Sequence, residues 1–143
     1  MFIVLDTSVL IASLLSQKAS AQTEIVSLLK RDKNIVIFAS KQTLFELKQT
    51  IAQPAIKFHS RYNAGIFGKF VAWYQYRVQM MTVPNFYQPI SRDVSDNVFL
   101  TLATHAHAHF LLSLDNDLLS LKNVETTHIV TPAEFIKLYS CSN

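Results

Sequence analysis

Six carboxylates in this 143-residue sequence stand where an apolar run ends or a helix-like pattern begins. Asp6 closes the first apolar run, and Asp115 and Asp117 close the run at 110–114. Asp93 and Asp96 stand at the start of a helical pattern over 96–106, and Glu46 lies in the pattern after the second apolar run. In open parallel sheets, ligands collect beyond the carboxyl ends of the strands, where the strand order reverses. If the first and third apolar strands are neighbours, Asp6 and Asp115 come close together. Carboxylates at close range cannot all stay ionised unless a cation shares their charge. A hard divalent ion, Mg²⁺ or Mn²⁺, meets that need with oxygen ligands. The chemistry it brings is water activation and neutralisation of a phosphoryl group.

Each acid also has a local use. Asp6 can cap the helix that follows it, and Asp93 can cap the next, with Asp96 in the favourable first turn. Thr43-Leu44-Phe45-Glu46 has the spelling of a capping box, and Asp115-Asn116-Asp117 that of a turn. Delivery of acids from three separate segments to one sheet edge is harder to explain locally. Other acidic patterns fail on spelling. An EF-hand loop from Asp115 requires Gly at Ser120 and Glu at Thr126. An aspartyl-phosphate phosphatase requires a second Asp at Ser8, and a receiver domain requires paired acids where only Asp6 stands.

The elements that must position these acids follow from the apolar pattern. Residues 2–5, 35–39 and 110–114 are apolar at nearly every position, which predicts buried strands, and 127–130 adds another. Helical spacing appears at Ile25, Val26, Leu28 and Leu29, at Leu44, Leu47 and Ile51 before Pro54, and at Val98, Leu102 and Ala106. Residues 55–80 predict one or two helices rich in aromatics and bases. Thr131-Pro132-Ala133-Glu134 predicts a helix start, with Thr at the N-cap, Pro at the first position and Glu as capping-box partner. Apolar strands alternating with helices imply one α/β domain over 1–143, with a parallel sheet covered on both faces.

Composition narrows the function. Half the residues are hydrophobic and 16% are charged, enough for a full core. Only Gly65 and Gly68 are glycines, so neither a dinucleotide-binding fingerprint nor a P-loop can be written. The single Cys141 excludes an intramolecular disulfide and Cys-rich zinc sites. The start, Met1-Phe2-Ile3-Val4-Leu5-Asp6, lacks a basic leader, and the longest uncharged run, 97–114, is too polar to span a membrane. A soluble cytoplasmic protein is expected. Residues 1–90 hold ten Lys and Arg against four acids, and residues 91–143 hold three against six. That asymmetry suits a part that meets a polyanion beside a part that holds cations.

Over residues 3–138 the chain resembles the PIN-domain family, in particular its VapC-like toxin branch. The resemblance rests on Val4-Leu5-Asp6-Thr7-Ser8-Val9-Leu10, the Glu46 helix, Arg92-Asp93-Val94-Ser95-Asp96-Asn97, Leu111-Leu112-Ser113-Leu114-Asp115-Asn116-Asp117-Leu118-Leu119 and Ile129-Val130-Thr131-Pro132-Ala133-Glu134-Phe135. It implies a three-layer α/β/α sandwich around a central parallel sheet, and RNA phosphodiester hydrolysis with Mg²⁺ or Mn²⁺, leaving 5′-phosphate and 3′-hydroxyl ends. Carried over by position, the four acids are Asp6, Glu46, Asp96 and Asp115. Asp6, Asp96 and Asp115 ligate metal, Glu46 positions a water or second ion, Asp117 is auxiliary, and Ser8 holds Asp6 or a water. The resemblance further implies a cognate antitoxin and a homodimer, for which Ile66, Phe70, Trp73 and Tyr74 offer an apolar stripe. The chain departs from the family pattern at Val94, Ser8 and Leu114. Leu114 replaces a small residue before the fourth acid, which would crowd the metal site. A non-catalytic RNA-binding or scaffold module and a housekeeping RNA-processing nuclease are the alternatives.

Other chemistry-bearing residues are assigned elsewhere. His105, His107 and His109 are expected at a helix end and on the surface, since only positions 105 and 109 share a helical face. Gly65-Ile66-Phe67-Gly68 is expected to be a turn; the aromatic stretch Phe70 to Tyr76 could stack unpaired bases, but Phe70, Trp73 and Tyr74 are expected to pack a core or a dimer face.

Overall fold

A computed structural model describes residues 1–83 and 94–142, and the side chains of 94–97 lie outside the described set, as do the segment containing Pro84 and Pro89 and the proposed cap Asp93. The chain runs β1 (Phe2–Leu5), α1 (Thr7–Leu15), α2 (Ala21–Arg31), β2 (Val36–Ala39), α3 (Lys41–Ala52), α4 (Pro54–Lys57), α5 (Ala64–Arg77) and β3 (Gln79–Met80). It continues with α6 (Val94–His105), β4 (Phe110–Leu112), α7 (Asn116–Leu119), β5 (Asn123–Val124), β6 (Thr127–Val130) and α8 (Pro132–Ser142).

The strands form one sheet in the order β3-β2-β1-β4-β6-β5. All pairings are parallel except β5 with β6. The architecture is therefore the expected α/β sandwich, with a mostly parallel sheet carrying one antiparallel edge. β3 and β5 are additions to the expected strands. Each spans only two residues, too short for a side-chain period to show.

Strand alternation divides the core into two. Ile3, Leu5, Ile37, Leu112 and Val130 point to the face covered by α1, α2 and α8, where Val9, Leu29 and Phe135 meet them. Val4, Phe38, Leu111 and Ile129 point to the opposite face, against Phe99, Leu102 and Ala103 of α6. Both faces being covered is why these strands are apolar at successive positions.

Local signals explain the helix bounds. Ser20 and Ser40 cap α2 and α3, each in a reciprocal capping box with the Thr three residues on. The Thr43–Glu46 box is thus replaced by Ser40–Thr43, one turn earlier. Pro54 ends α3 and opens α4 at its first turn. At the last helix the expected box forms: Thr131 N–H donates to Glu134 Oε2 at 3.2 Å, and Glu134 N–H donates to Thr131 Oγ1 at 3.1 Å. Residues 65–68 are the first turns of α5, capped by Asn63, and not a separate turn.

The aromatic stripe on α5 is mostly spent on the core. Tyr74 is buried, and Phe70 and Trp73 pack against the first apolar cluster, with the Lys30 ammonium 5.2 Å over the Trp73 ring. Ile66 stays exposed. The Arg77 guanidinium donates to the carbonyls of Leu29, Asp32 and Ile35, locking α5 to the α2–β2 turn. No helix among the described residues is long and apolar enough to cross a membrane.

α8 closes the core through Phe135, which is fully buried with its ring edge against Phe110 at 5.4 Å. Phe135→Ala should cost about 3–5 kcal/mol by urea denaturation. A loss below about 1 kcal/mol would mean that α8 is not part of the cooperative core.

Candidate active site

β1 and β4 lie side by side, with Leu5 opposite Leu112, so the residues just beyond them leave the sheet together. From β1 the chain builds outward to β2 and β3 and returns to β4 on the other side of β1. The strand order therefore reverses between β1 and β4, and in open α/β sheets ligands bind beyond the carboxyl ends at such a point. Asp6 and Asp115 stand there.

Asp6 continues the strand ladder, its N–H donating to Leu112 O at 3.0 Å. It occupies the N-cap position of α1 without capping it through its side chain. The carboxylate is buried, and its Oδ2 accepts two hydroxyl hydrogen bonds of 2.7 Å, one from Ser8 and one from Ser113. Each serine oxygen in turn accepts a backbone N–H from the turn after β4. Leu114 donates to Ser8 Oγ at 3.1 Å, and Asp115 donates to Ser113 Oγ at 2.9 Å. One carboxylate oxygen thereby fixes two consecutive peptides of the segment that carries the second acid.

Asp115 is half-buried and caps α7, its Oδ1 accepting from the Asp117 N–H at 2.9 Å. The turn and site uses of Asp115 therefore coexist in one side chain. Asp117 is exposed. Glu46 enters from α3, where its Oε2 accepts from the Thr7 hydroxyl at 2.7 Å, linking the α3 acid to the residue next to Asp6. The shift of the α3 cap to Ser40 leaves Glu46 out of the capping box. Asp96 lies in the first turn of α6 by its backbone, and its side chain is outside the described residues. Among the described residues, no three acid, histidine or cysteine side chains form a complete metal-ligand group. Leu114 packs against the first apolar cluster.

Burial raises the Asp6 carboxyl above the usual carboxylate range, and the neighbouring Asp115 charge adds to the rise. The hydrogen bonds from Ser8, Ser113 and the Thr7 backbone oppose it without cancelling it. A buried acid that resists ionisation, with a second acid beside it, is an electrostatic arrangement that a cation relieves.

Ser113 and Thr7 are the two residues of this cluster that sequence reasoning did not assign. Ser113 is fully buried, and its signal was a lone hydroxyl within an otherwise apolar strand run. Thr7 offered only adjacency to Asp6. The histidines lie elsewhere and are exposed. His109 Nδ1 accepts the Phe2 N–H at 2.9 Å, at the opposite end of the β1–β4 pair, and His107 takes a left-handed φ of 50° in the α6–β4 turn.

The family profile of the PIN domain matches residues 2–117. The chain belongs to the PIN-domain family. Its fold is similar to one chain in the crystal structure of VapBC2 from Rickettsia felis bound to a DNA fragment from their promoter. The TM-score is 0.58 at 13% identity, over 90% of this chain and 97% of that one. No curated protein sequence matches the chain significantly. PIN domains are generally divalent-metal-dependent nucleases, and the profile spans Asp6, Glu46, Asp96, Asp115 and Asp117 of this PIN domain.

The raised Asp6 pKa fixes the sign of a pH effect. Ionised Asp6 is less favourable in the folded chain than in the unfolded one. Its contribution to stability therefore falls as pH rises from the ordinary carboxylate value through the raised folded one. In metal-free protein, Asp6→Asn should raise the melting temperature at neutral pH, and the gain should shrink as pH falls toward the ordinary carboxylate range. A mutant less stable than wild type at neutral pH would show that the serine bonds outweigh burial.

Proposed function

We propose that the protein is a metal-dependent endoribonuclease acting as the toxin of a toxin–antitoxin pair. The observation that carries the reading is the union of Asp6 and Asp115 through Ser113 at the strand-order reversal, with Glu46 tied in by Thr7. The family match supports a nuclease, and the likeness to a chain of VapBC2 supports an antitoxin partner. The homodimer belongs to the same proposal.

In this reading Asp6, Asp96 and Asp115 hold Mg²⁺ or Mn²⁺. Their hard, anionic oxygens suit such ions, and the burial of Asp6 gives a site that gains from charge neutralisation. The bound ion supplies Lewis-acid stabilisation of the phosphoryl charge and a more acidic attacking water. Glu46, oriented by Thr7, positions that water or accepts its proton. Ser8 and Ser113 keep the Asp6 carboxylate in one orientation, and Asp117 tunes the charge at the rim. Basic side chains between 41 and 77 hold the RNA backbone, so affinity should fall as salt rises.

Cleavage of single-stranded RNA should require Mg²⁺ or Mn²⁺, be abolished by EDTA and be lost in Asp115→Asn. Mn²⁺ should also raise the melting temperature, and Asp6→Asn should shrink that rise. Equal cleavage in EDTA would contradict the metal mechanism. A wild type whose melting temperature ignores both ions would favour a non-catalytic module.

A further inference from the structure

The helix that carries Glu46 has a second face that the site does not use. Positions 41, 45 and 48 fall one turn apart along one side of α3, and Phe45 is about 100° around the helix from its neighbour Glu46. Lys41, Phe45 and Lys48 are all exposed there, and Phe45 leaves 63% of its surface in water. The buried side of the same helix is made by Thr43 and Leu47, so the register that sends Glu46 toward Thr7 also sends Phe45 outward. An exposed aromatic ring with an exposed lysine one helical turn away on either side, on the helix that brings an acid to the site, has no role in the core.

From this placement we propose that Phe45 is a base-stacking platform for single-stranded RNA, with Lys41 and Lys48 engaging the phosphates on either side of the stacked nucleotide. The inference rests on the ribonuclease reading above and adds to it where the strand lies. Unpaired bases stack on aromatic side chains whatever their identity, and flanking cations track the backbone. The two lysines are about 10 Å apart along the helix axis, with the ring between them. Charge favours this occupant over a protein groove: lysines are depleted at protein interfaces, whereas a polyanion is complementary to both of them. Because Glu46 is the next residue, a strand seated on Phe45 approaches the acids from the α3 side. Base-paired RNA keeps its bases stacked on each other and cannot use the ring, so the platform selects unpaired substrate.

The test is binding of a fluorescein-labelled, unstructured oligouridylate by anisotropy, with Ca²⁺ in place of Mg²⁺, alongside melting temperatures for every variant. Phe45→Ala should weaken binding about tenfold, Phe45→Tyr should restore it, and Phe45→Leu, apolar but not aromatic, should not. Replacing Lys41 and Lys48 by Ala together should lower the salt slope by about 1.4. In Phe45→Trp the added indole should be quenched by the oligonucleotide, beyond any change seen with Trp73 alone in wild type. Since Phe45 packs no core, these variants should melt with wild type. Phe45→Ala binding as wild type does, or Phe45→Leu binding as Phe45→Tyr does, would overturn the platform, including the case in which Phe45→Ala instead loses a protein partner. Metal-dependent cleavage persisting alongside that result would leave the nuclease reading intact. A wild type that neither binds nor cuts RNA would retire both.

Discussion

A carboxyl group at the end of a central parallel strand, walled in by helices on both faces, is costly to ionise, and hydrogen bonds to its oxygens offset part of that cost. Here the Ser8 and Ser113 hydroxyls supply them, meeting on one oxygen of Asp6. Their own oxygens take the Leu114 and Asp115 amides. The geometry of the second acid is therefore set by the first. Without the Asp6 acceptor the two serines lose the bonds that orient them, and with them the fixed placement of the oxygens that take the Leu114 and Asp115 amides. Burial and the Asp115 charge still raise the Asp6 carboxyl against the lowering effect of the hydroxyls. This is a site built at some expense to stability, with electrostatics that a cation would relieve.

The rest of the fold makes this contact possible. Parallel pairing of β1 with β4 places Leu5 opposite Leu112, so Asp6 and Ser113 emerge in register. A one-residue slip would turn every side chain of the strand to the other face and separate them. The slip is resisted by the two-sided core, in which Ile3 and Leu5 pack one way and Val4 the other. The α3 acid depends on a separate device. Ser40 sets where α3 begins, and that starting point directs Glu46 toward the Thr7 hydroxyl.

Much of this was legible in the residues. Continuous apolar runs identified β1, β2 and β4, because burial on both faces leaves few polar positions, whereas β6 was read from Ile129 and Val130 beside the polar Thr127 and exposed His128. Asp6 and Asp115 were readable as strand-end acids, and the Thr131–Glu134 box as a helix start. What the sequence hid were choices between equivalent local options. Ser40 and Thr43 both spell an N-cap, and tertiary packing selects the earlier one. Phe70, Trp73 and Tyr74 of α5 spell an exposed stripe as readily as a packed one, and only the position of α2, with Lys30 over Trp73, shows that the core and a cation cover them, while Tyr76 stays in water. Ser113 was hidden for another reason. Its role lies in bonds to residues 107 positions away and two positions ahead, and no periodicity reports such a bridge.

Calorimetric titration of Mn²⁺ into Ser113→Ala asks whether the serine bridge holds the two acids in a metal-ready arrangement. Loss of a group that orients metal ligands typically weakens affinity about 10–100-fold. A loss of that size is expected in a variant that remains folded, with partial recovery in Ser113→Thr, which restores the hydroxyl. Mn²⁺ affinity unchanged from wild type in Ser113→Ala would contradict it.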